Sequence, residues 1–122
     1  MASAPGTFLN KPYSLLFAGI DRNGKALRFC IPFEELQSKR TIYIGRSGVC
    51  AIRFDREYKE VSRLHVRIRY EEYTEGNGYL YIREEHATTP TLVNGHPLYD
   101  EHLLMDGDEL TFAGITLTFK LA

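Results

Sequence analysis

An all-β sandwich or barrel is the fold class that this sequence predicts, on three observations. Short runs of β-branched and aromatic residues recur along the chain, several of them alternating apolar with polar. Turn signals rich in Gly, Asn and Asp separate those runs. Apolar residues nowhere keep helical spacing long enough to make a sizeable amphipathic helix. The chain has 122 residues, 43% of them apolar and 25% charged, which is one domain's worth with enough apolar surface for a core. The same numbers exclude intrinsic disorder, a collagen-like fibre and a disulfide-stapled miniprotein.

Residues 13–20 are apolar and aromatic and read as the first strand. Asp21-Arg22-Asn23-Gly24 follows as a turn, with Asn-Gly supplying the positive φ angles of a tight hairpin. Residues 27–31 alternate as the return strand, and Pro32 closes it. Residues 33–40 have room for one helical turn. Thr41-Ile42-Tyr43-Ile44 reads as a strand that stops at Gly45. A short apolar piece at 51–54 precedes a charged loop over 55–60. From His65 to Tyr70, period two places Val66, Ile68 and Tyr70 on one face and His65, Arg67 and Arg69 on the other.

Glu75-Gly76-Asn77-Gly78 signals a second hairpin, with residues 79–83 returning. The last third holds a strand at 91–93, the turn Asn94-Gly95, the turn Asp106-Gly107-Asp108 in an acidic solvated loop, and a strand at 110–112. A final strand over 116–121 puts Leu117, Phe119 and Leu121 on one face. Phe-Ala-Gly-Ile occurs at 17–20 and again at 112–115. Without matching flanks this reads as similar strand chemistry rather than an internal repeat.

Lys plus Arg is 15 and Asp plus Glu is 16, a net charge of −1 that argues against a general nucleic-acid coat. The charges are unevenly placed. Residues 1–45 carry six basic and three acidic groups, 46–69 carry seven and three, and 70–122 carry two and ten. Cys30 and Cys50 sit in no metal or redox spacing and read as two reduced thiols. No basic residue precedes an apolar run at the start, and the apolar stretch 15–20 is too short for a signal or a membrane span. The chain therefore reads as cytoplasmic, or as the cytosol-facing part of a longer one, with no membrane partner.

Three short motifs stand in order at strand ends: Gly45-Arg46-Ser47, then Ser62-Arg63-Leu64-His65, then Asn94-Gly95. Each alone is a common string. In this order, spacing and all-β context they resemble the forkhead-associated (FHA) domain family, from about Thr41 to the C-terminus, with residues 13–32 supplying the first two strands. The resemblance implies an FHA-like β-sandwich of about eleven short strands with binding loops at one end. It occupies residues 13–122 as a single domain, and residues 1–12 form a flexible lead-in. It also implies a non-catalytic module that reads phosphothreonine peptides and mediates phosphorylation-dependent interactions in Ser/Thr kinase signalling, a monomer as an isolated domain.

The chemistry suits that expectation. Phosphothreonine presents three acceptor oxygens and a charge between about −1.5 and −2, so its site needs donors and a cation but no base. Arg46, directly after Gly45, offers a guanidinium fork; Ser62 offers a short hydroxyl and Arg63 a second cation. In the stretch Ala87-Thr88-Thr89-Pro90-Thr91, Thr88 matches the family's phosphate-binding Thr or Ser, which also shapes the pocket for the threonine methyl. Thr89 stands where an asparagine usually grips the peptide backbone, and Pro90 replaces the usual glycine. Ser47 and Thr89 are the further candidate peptide contacts. Gly45, His65, Asn94 and Gly95 form the structural motif. By resemblance His65 is buried with its ring bonded to loop backbone, and Asn94-Gly95 ties the recognition loops together.

Other chemistries find less support. Ser62 and His65 lack an orienting carboxylate at a suitable spacing for a hydrolase, so no enzyme is expected. His86, His96 and His102 lie in scattered loops, so no metal is expected, and nothing implies a cofactor. The leading rival is an FHA-fold scaffold or assembly module that binds partners without phosphate, which Thr89 and Pro90 keep open. A second is a small β-barrel nucleic-acid binder using Arg67 and Arg69 with Tyr70 or Tyr73 stacking, against which the acidic C-terminal half counts.

Overall fold

Period-two alternation builds two sheets whose apolar faces close on each other. The structure, a computed structural model, describes residues 13–75 and 77–122. The expected lead-in over 1–12 and Gly76 of the second hairpin signal lie outside the described residues. The elements are β1 (Ser14–Ile20), β2 (Ala26–Pro32), α1 (Phe33–Lys39), β3 (Thr41–Gly45), β4 (Ile52–Arg53) and β5 (Val66–Thr74). They continue with β6 (Asn77–Glu84), β7 (Leu92–Val93), β8 (His96–Pro97), β9 (His102–Leu103), β10 (Glu109–Phe112) and β11 (Ile115–Leu121).

One sheet has the order β2-β1-β11-β10-β7-β8 and the other β4-β3-β5-β6-β9. This is the expected sandwich of eleven short strands. Pairing is antiparallel except between β3 and β4, where Ile44 faces Ile52 and Gly45 faces Arg53 in parallel register. Leu15 and Phe17 of β1, with Leu117 and Phe119 of β11, are buried in one core with Ile42, Ile44, Ile68, Leu80 and Ile82 of the second sheet. Phe17 and Phe119 stack at 5.2 Å between ring centroids, and Phe54 meets Phe112 edge-on at 6.0 Å.

The local structure departs from the sequence reading at several points. The segment after Pro32 makes a seven-residue helix, nearly two turns rather than one. Its Phe33 and Leu36 are buried, and Arg40 ends it in the left-handed region. At the β1–β2 hairpin only Gly24 has positive φ (81°). The turn is shaped instead by the Asp21 carboxylate, which accepts the Asn23 and Lys25 N–H groups at 2.9 Å. Asn94 (52°) and Gly95 (82°) do form the expected turn, which the structure shows to be the two-residue connection of a β7–β8 hairpin.

The two copies of Phe-Ala-Gly-Ile adopt different structures. The first is strand, whereas Ala113 (φ 51°) and Gly114 (φ 76°) of the second make the turn between β10 and β11. Similar strand chemistry is therefore not what they share. The acidic stretch is not simply solvated either. Asp108, 8% exposed, accepts bonds from the Met105 N–H (2.8 Å) and the Asn94 amide (2.9 Å) and contacts the His102 ring at 3.1 Å. Burial raises the Asp108 pKa, but those partners outweigh it and leave the carboxyl below its ordinary value. Among the described residues no helix is long and apolar enough to cross a membrane.

Candidate functional site

Gly45 is where the site begins. A Cβ there would lie 2.3 Å from the Arg63 carbonyl oxygen and 2.7 Å from that of Ser62, so only glycine lets the end of β3 lie against the backbone of residues 62–63. The loops on either side then zip together. The Arg46 N–H donates to the Ser62 carbonyl at 3.2 Å and the Ser47 N–H to the Arg63 carbonyl at 3.0 Å. Arg46 Nε donates to the Val61 carbonyl at 2.5 Å, which anchors the guanidinium. Its two terminal nitrogens make no hydrogen bond or ion pair with the described residues.

His65 sets the second loop. Its ring is fully buried, 5.0 Å from the Phe112 ring, and its Nδ1 accepts the Ser62 N–H at 3.0 Å. The His65 N–H in turn donates to the Ile44 carbonyl at 2.9 Å. An accepting Nδ1 assigns the ring proton to Nε2, which faces the Thr89 backbone without a well-formed bond. Burial holds the imidazole below its ordinary pKa, against the opposing pull of Glu84 and the Thr89 backbone, so it is neutral at neutral pH. Period two had put this residue on the solvent face beside Arg67 and Arg69. The strand pleat begins only at Val66, so the inward ring obeys the loop and not the alternation.

The third loop arrives from β6. The Glu85 N–H donates to the His65 carbonyl (3.1 Å) and the His86 N–H to that of Leu64 (2.9 Å). The Thr88 N–H donates to Ser62 Oγ at 3.0 Å, and the two hydroxyls lie 3.3 Å apart. The result is an open cleft of about 600 Å³ that gathers Arg46, Ser47, Ser62, Arg63 and Thr88 with Lys59, Leu64 and His86.

Not every expected residue reaches it. Thr89 is outside the cleft lining, its hydroxyl donating to the Glu60 carbonyl at 3.5 Å. Asn94 and Gly95 do not tie these loops together: the Asn94 amide bonds Asp108, and its oxygen accepts the Glu109 N–H, both at 2.9 Å. Asn94 thus joins the β7–β8 turn to the loop before β10. Lys59 and His86 were not expected at the site. No motif marks them, and they arrive only because the backbone closes the loops over residues 58–61 and 85–86. Among the described residues no group of His, Cys, Asp and Glu is arranged to hold a metal ion.

A family model of the FHA domain matches residues 42–113, more than half of the chain. The chain belongs to the FHA domain family. Solved FHA domains share its fold. The yeast Dun1 FHA domain, solved with a doubly phosphorylated peptide derived from Rad53, superposes with a TM-score of 0.70 at 17% identity, over 100% of this chain and 82% of that one. The MEK1 FHA domain in complex with a phosphothreonine peptide of HOP1 gives 0.62 at 17% identity, over 90% and 96%. An FHA domain from a study of phosphothreonine-dependent interactions gives 0.63 at 21% identity, over 89% and 97%. No curated protein matches the chain significantly.

The strand face that carries Arg67 and Arg69 is neutralised in this FHA domain and offers no nucleic-acid stripe. Arg69 holds Glu101 and Glu71, each at 2.9 Å, and lies over the Tyr81 ring at 4.5 Å. Arg67 faces Glu85 at 3.7 Å. Cations already paired with carboxylates are poor counterions for a phosphate backbone.

Proposed function

We propose that this FHA domain is a non-catalytic module that binds phosphothreonine peptides in the cleft between Arg46, Ser62 and Thr88, on partners marked by a Ser/Thr kinase. The observation that carries the reading is the charge of that cleft. Its ionisable lining is Arg46, Lys59, Arg63 and His86, with no carboxylate, and none of the three cations has an acidic partner among the described residues.

Arg46 is held through Nε, leaving its outer N–H groups for a bidentate grip on phosphate oxygens. The Ser62 and Thr88 hydroxyls own two protons and use at most one in their mutual contact, so at least one is left for the ligand. Charge-assisted bonds of this kind are each worth about 1.5–3 kcal/mol, less where solvent screens them. A few of them support selective, reversible docking. A nucleophilic role for Ser62 is disfavoured because His65 spends its Nδ1 on the Ser62 backbone N–H, not on the hydroxyl. The phosphothreonine peptides bound by the Dun1 and MEK1 domains support the assignment.

Fluorescence anisotropy with matched phosphothreonine, phosphoserine and unmodified threonine peptides tests it, on wild type and Arg46→Ala. Of the three peptides only the phosphothreonine one binds wild type, and Arg46→Ala weakens that binding at least about tenfold. Equal binding of the unmodified peptide, or no effect of the substitution, sinks the proposal. One observation favours the phosphate-independent scaffold as a second reading: Thr89 takes the place of the family's peptide-gripping asparagine and turns its hydroxyl to Glu60. Tight binding of unmodified partner sequence is the outcome that this reading expects.

A further inference from the structure

Arg46 has cleft on both sides. Away from Ser62 and Thr88 lies a second opening of about 550 Å³, lined by Arg46, Arg53, Phe54, Asp55 and Arg56. Its position follows from the parallel pairing of β3 with β4, which sets Arg53 beside Gly45, while the Phe54 N–H donates to the Gly45 carbonyl at 2.9 Å. Phe54 is a fixed floor, 2% exposed and in ring contact with Phe29, Tyr58 and Phe112. Arg53 Nε leans on the Arg46 carbonyl at 3.4 Å.

Three guanidinium groups here face one carboxylate, that of Asp55, whose Oδ1 accepts the Glu57 N–H at 3.0 Å, so positive charge is in excess in the lining. Arg53 and Arg56 have no ion-pair partner among the described residues, whereas Arg22, Arg40, Arg67 and Arg69 each face a glutamate. Like charges gathered in excess of their counterions repel, and an anion placed among them lowers that cost.

Resting on the phosphothreonine reading, we propose that this second opening is an anion subsite: the preferred peptide carries another acidic or phosphorylated side chain near its phosphothreonine. Because the two openings share Arg46, that group sits within a few residues of the phosphothreonine, at about 3.3–3.6 Å of extended chain per residue. A peptide fits these observations better than nucleic acid, since Arg67 and Arg69 of β5 are already paired with glutamates and no aromatic ring is exposed for stacking in the lining.

The test uses the whole chain and a phosphothreonine peptide in which one glutamate, or one phosphoserine, is scanned through the flanking positions on both sides. Wild type binds at least one register about tenfold more tightly than the parent peptide. The Arg53→Gln/Arg56→Gln double variant loses that gain while changing affinity for the parent peptide less than about twofold. Gain from phosphoserine alone assigns a phosphate subsite; gain from both assigns a general acidic one. Absence of any favoured register, equal weakening of every peptide by the double variant, or oligonucleotide binding that the double variant abolishes overturns the proposal. Failure of the parent peptide to bind wild type is the separate failure of the phosphothreonine reading.

Discussion

The Ser62 hydroxyl accepts the Thr88 backbone N–H at 3.0 Å, joining two recognition loops that lie 26 residues apart in the chain. One short side chain thus performs two tasks, since the same oxygen carries a proton available to a bound anion. Ser62→Ala removes both, and Thr88→Ala removes a hydroxyl but keeps the N–H. We expect Ser62→Ala to weaken phosphothreonine-peptide binding by about tenfold to a hundredfold and to lower Tm by a few degrees. Thr88→Ala weakens binding less and leaves Tm within about one degree of wild type. Calorimetric titration and thermal melts of the two variants separate these effects; equal melts contradict the tether.

Gly45→Ala tests how the site is assembled. The added methyl meets backbone oxygens at 2.3 and 2.7 Å, and backbone, unlike a flexible side-chain end, yields only by moving β3 away from residues 62–63. Urea denaturation should show a loss of about 1–3 kcal/mol, with a parallel loss of peptide affinity. Unchanged stability means that the strand end relaxes freely and that glycine is not what brings Arg46 to Ser62.

Much of this arrangement is legible from the chain alone, and the limits have physical causes. Arg46, Ser62, Arg63 and Thr88 are visible because the motifs and the family resemblance carry them, and the loops do bring these four into one cleft. The strands β8 and β9 escape notice because two-residue pairings such as Tyr81 with Leu103 are imposed by the partner strand, not by local propensity. Phe-Ala-Gly-Ile shows the same thing in reverse: Ala113 takes a left-handed turn that its twin, Ala18, does not. Lys59 and His86 reach the cleft through backbone bonds of their loops, which leave no residue-type signature.

Asp108 separates scaffold from recognition. Asp108→Ala strips the acceptor from the Met105 N–H and the Asn94 amide, so stability falls by about 1–3 kcal/mol. Peptide affinity, measured at a temperature where the variant is folded, stays within about twofold of wild type, because none of these groups lines the cleft. A large affinity loss in a folded Asp108→Ala protein places the Asn94–Asp108 link within the recognition machinery.

His65 imposes a pH dependence whose sign follows from its burial. The native ring stays neutral below its ordinary pKa while the unfolded chain, titrating near about 6.5, takes up the proton. Its contribution is therefore complete above that value and is lost as pH falls below it. Urea midpoints should drop between about pH 7.5 and about pH 5.5, and His65→Asn, whose side-chain oxygen replaces Nδ1 as acceptor for the Ser62 N–H, should flatten the slope. A slope unchanged by that substitution assigns the dependence to another group.

The central claim is that the unpaired cations beside Ser62 and Thr88 receive a phosphate. Anisotropy of one labelled peptide, with its threonine phosphorylated and unphosphorylated, against wild type and Arg46→Ala measures it most directly. The account predicts binding of the phosphorylated form only, weakened at least about tenfold by the substitution. Comparable affinity for both forms, or for both proteins, contradicts it.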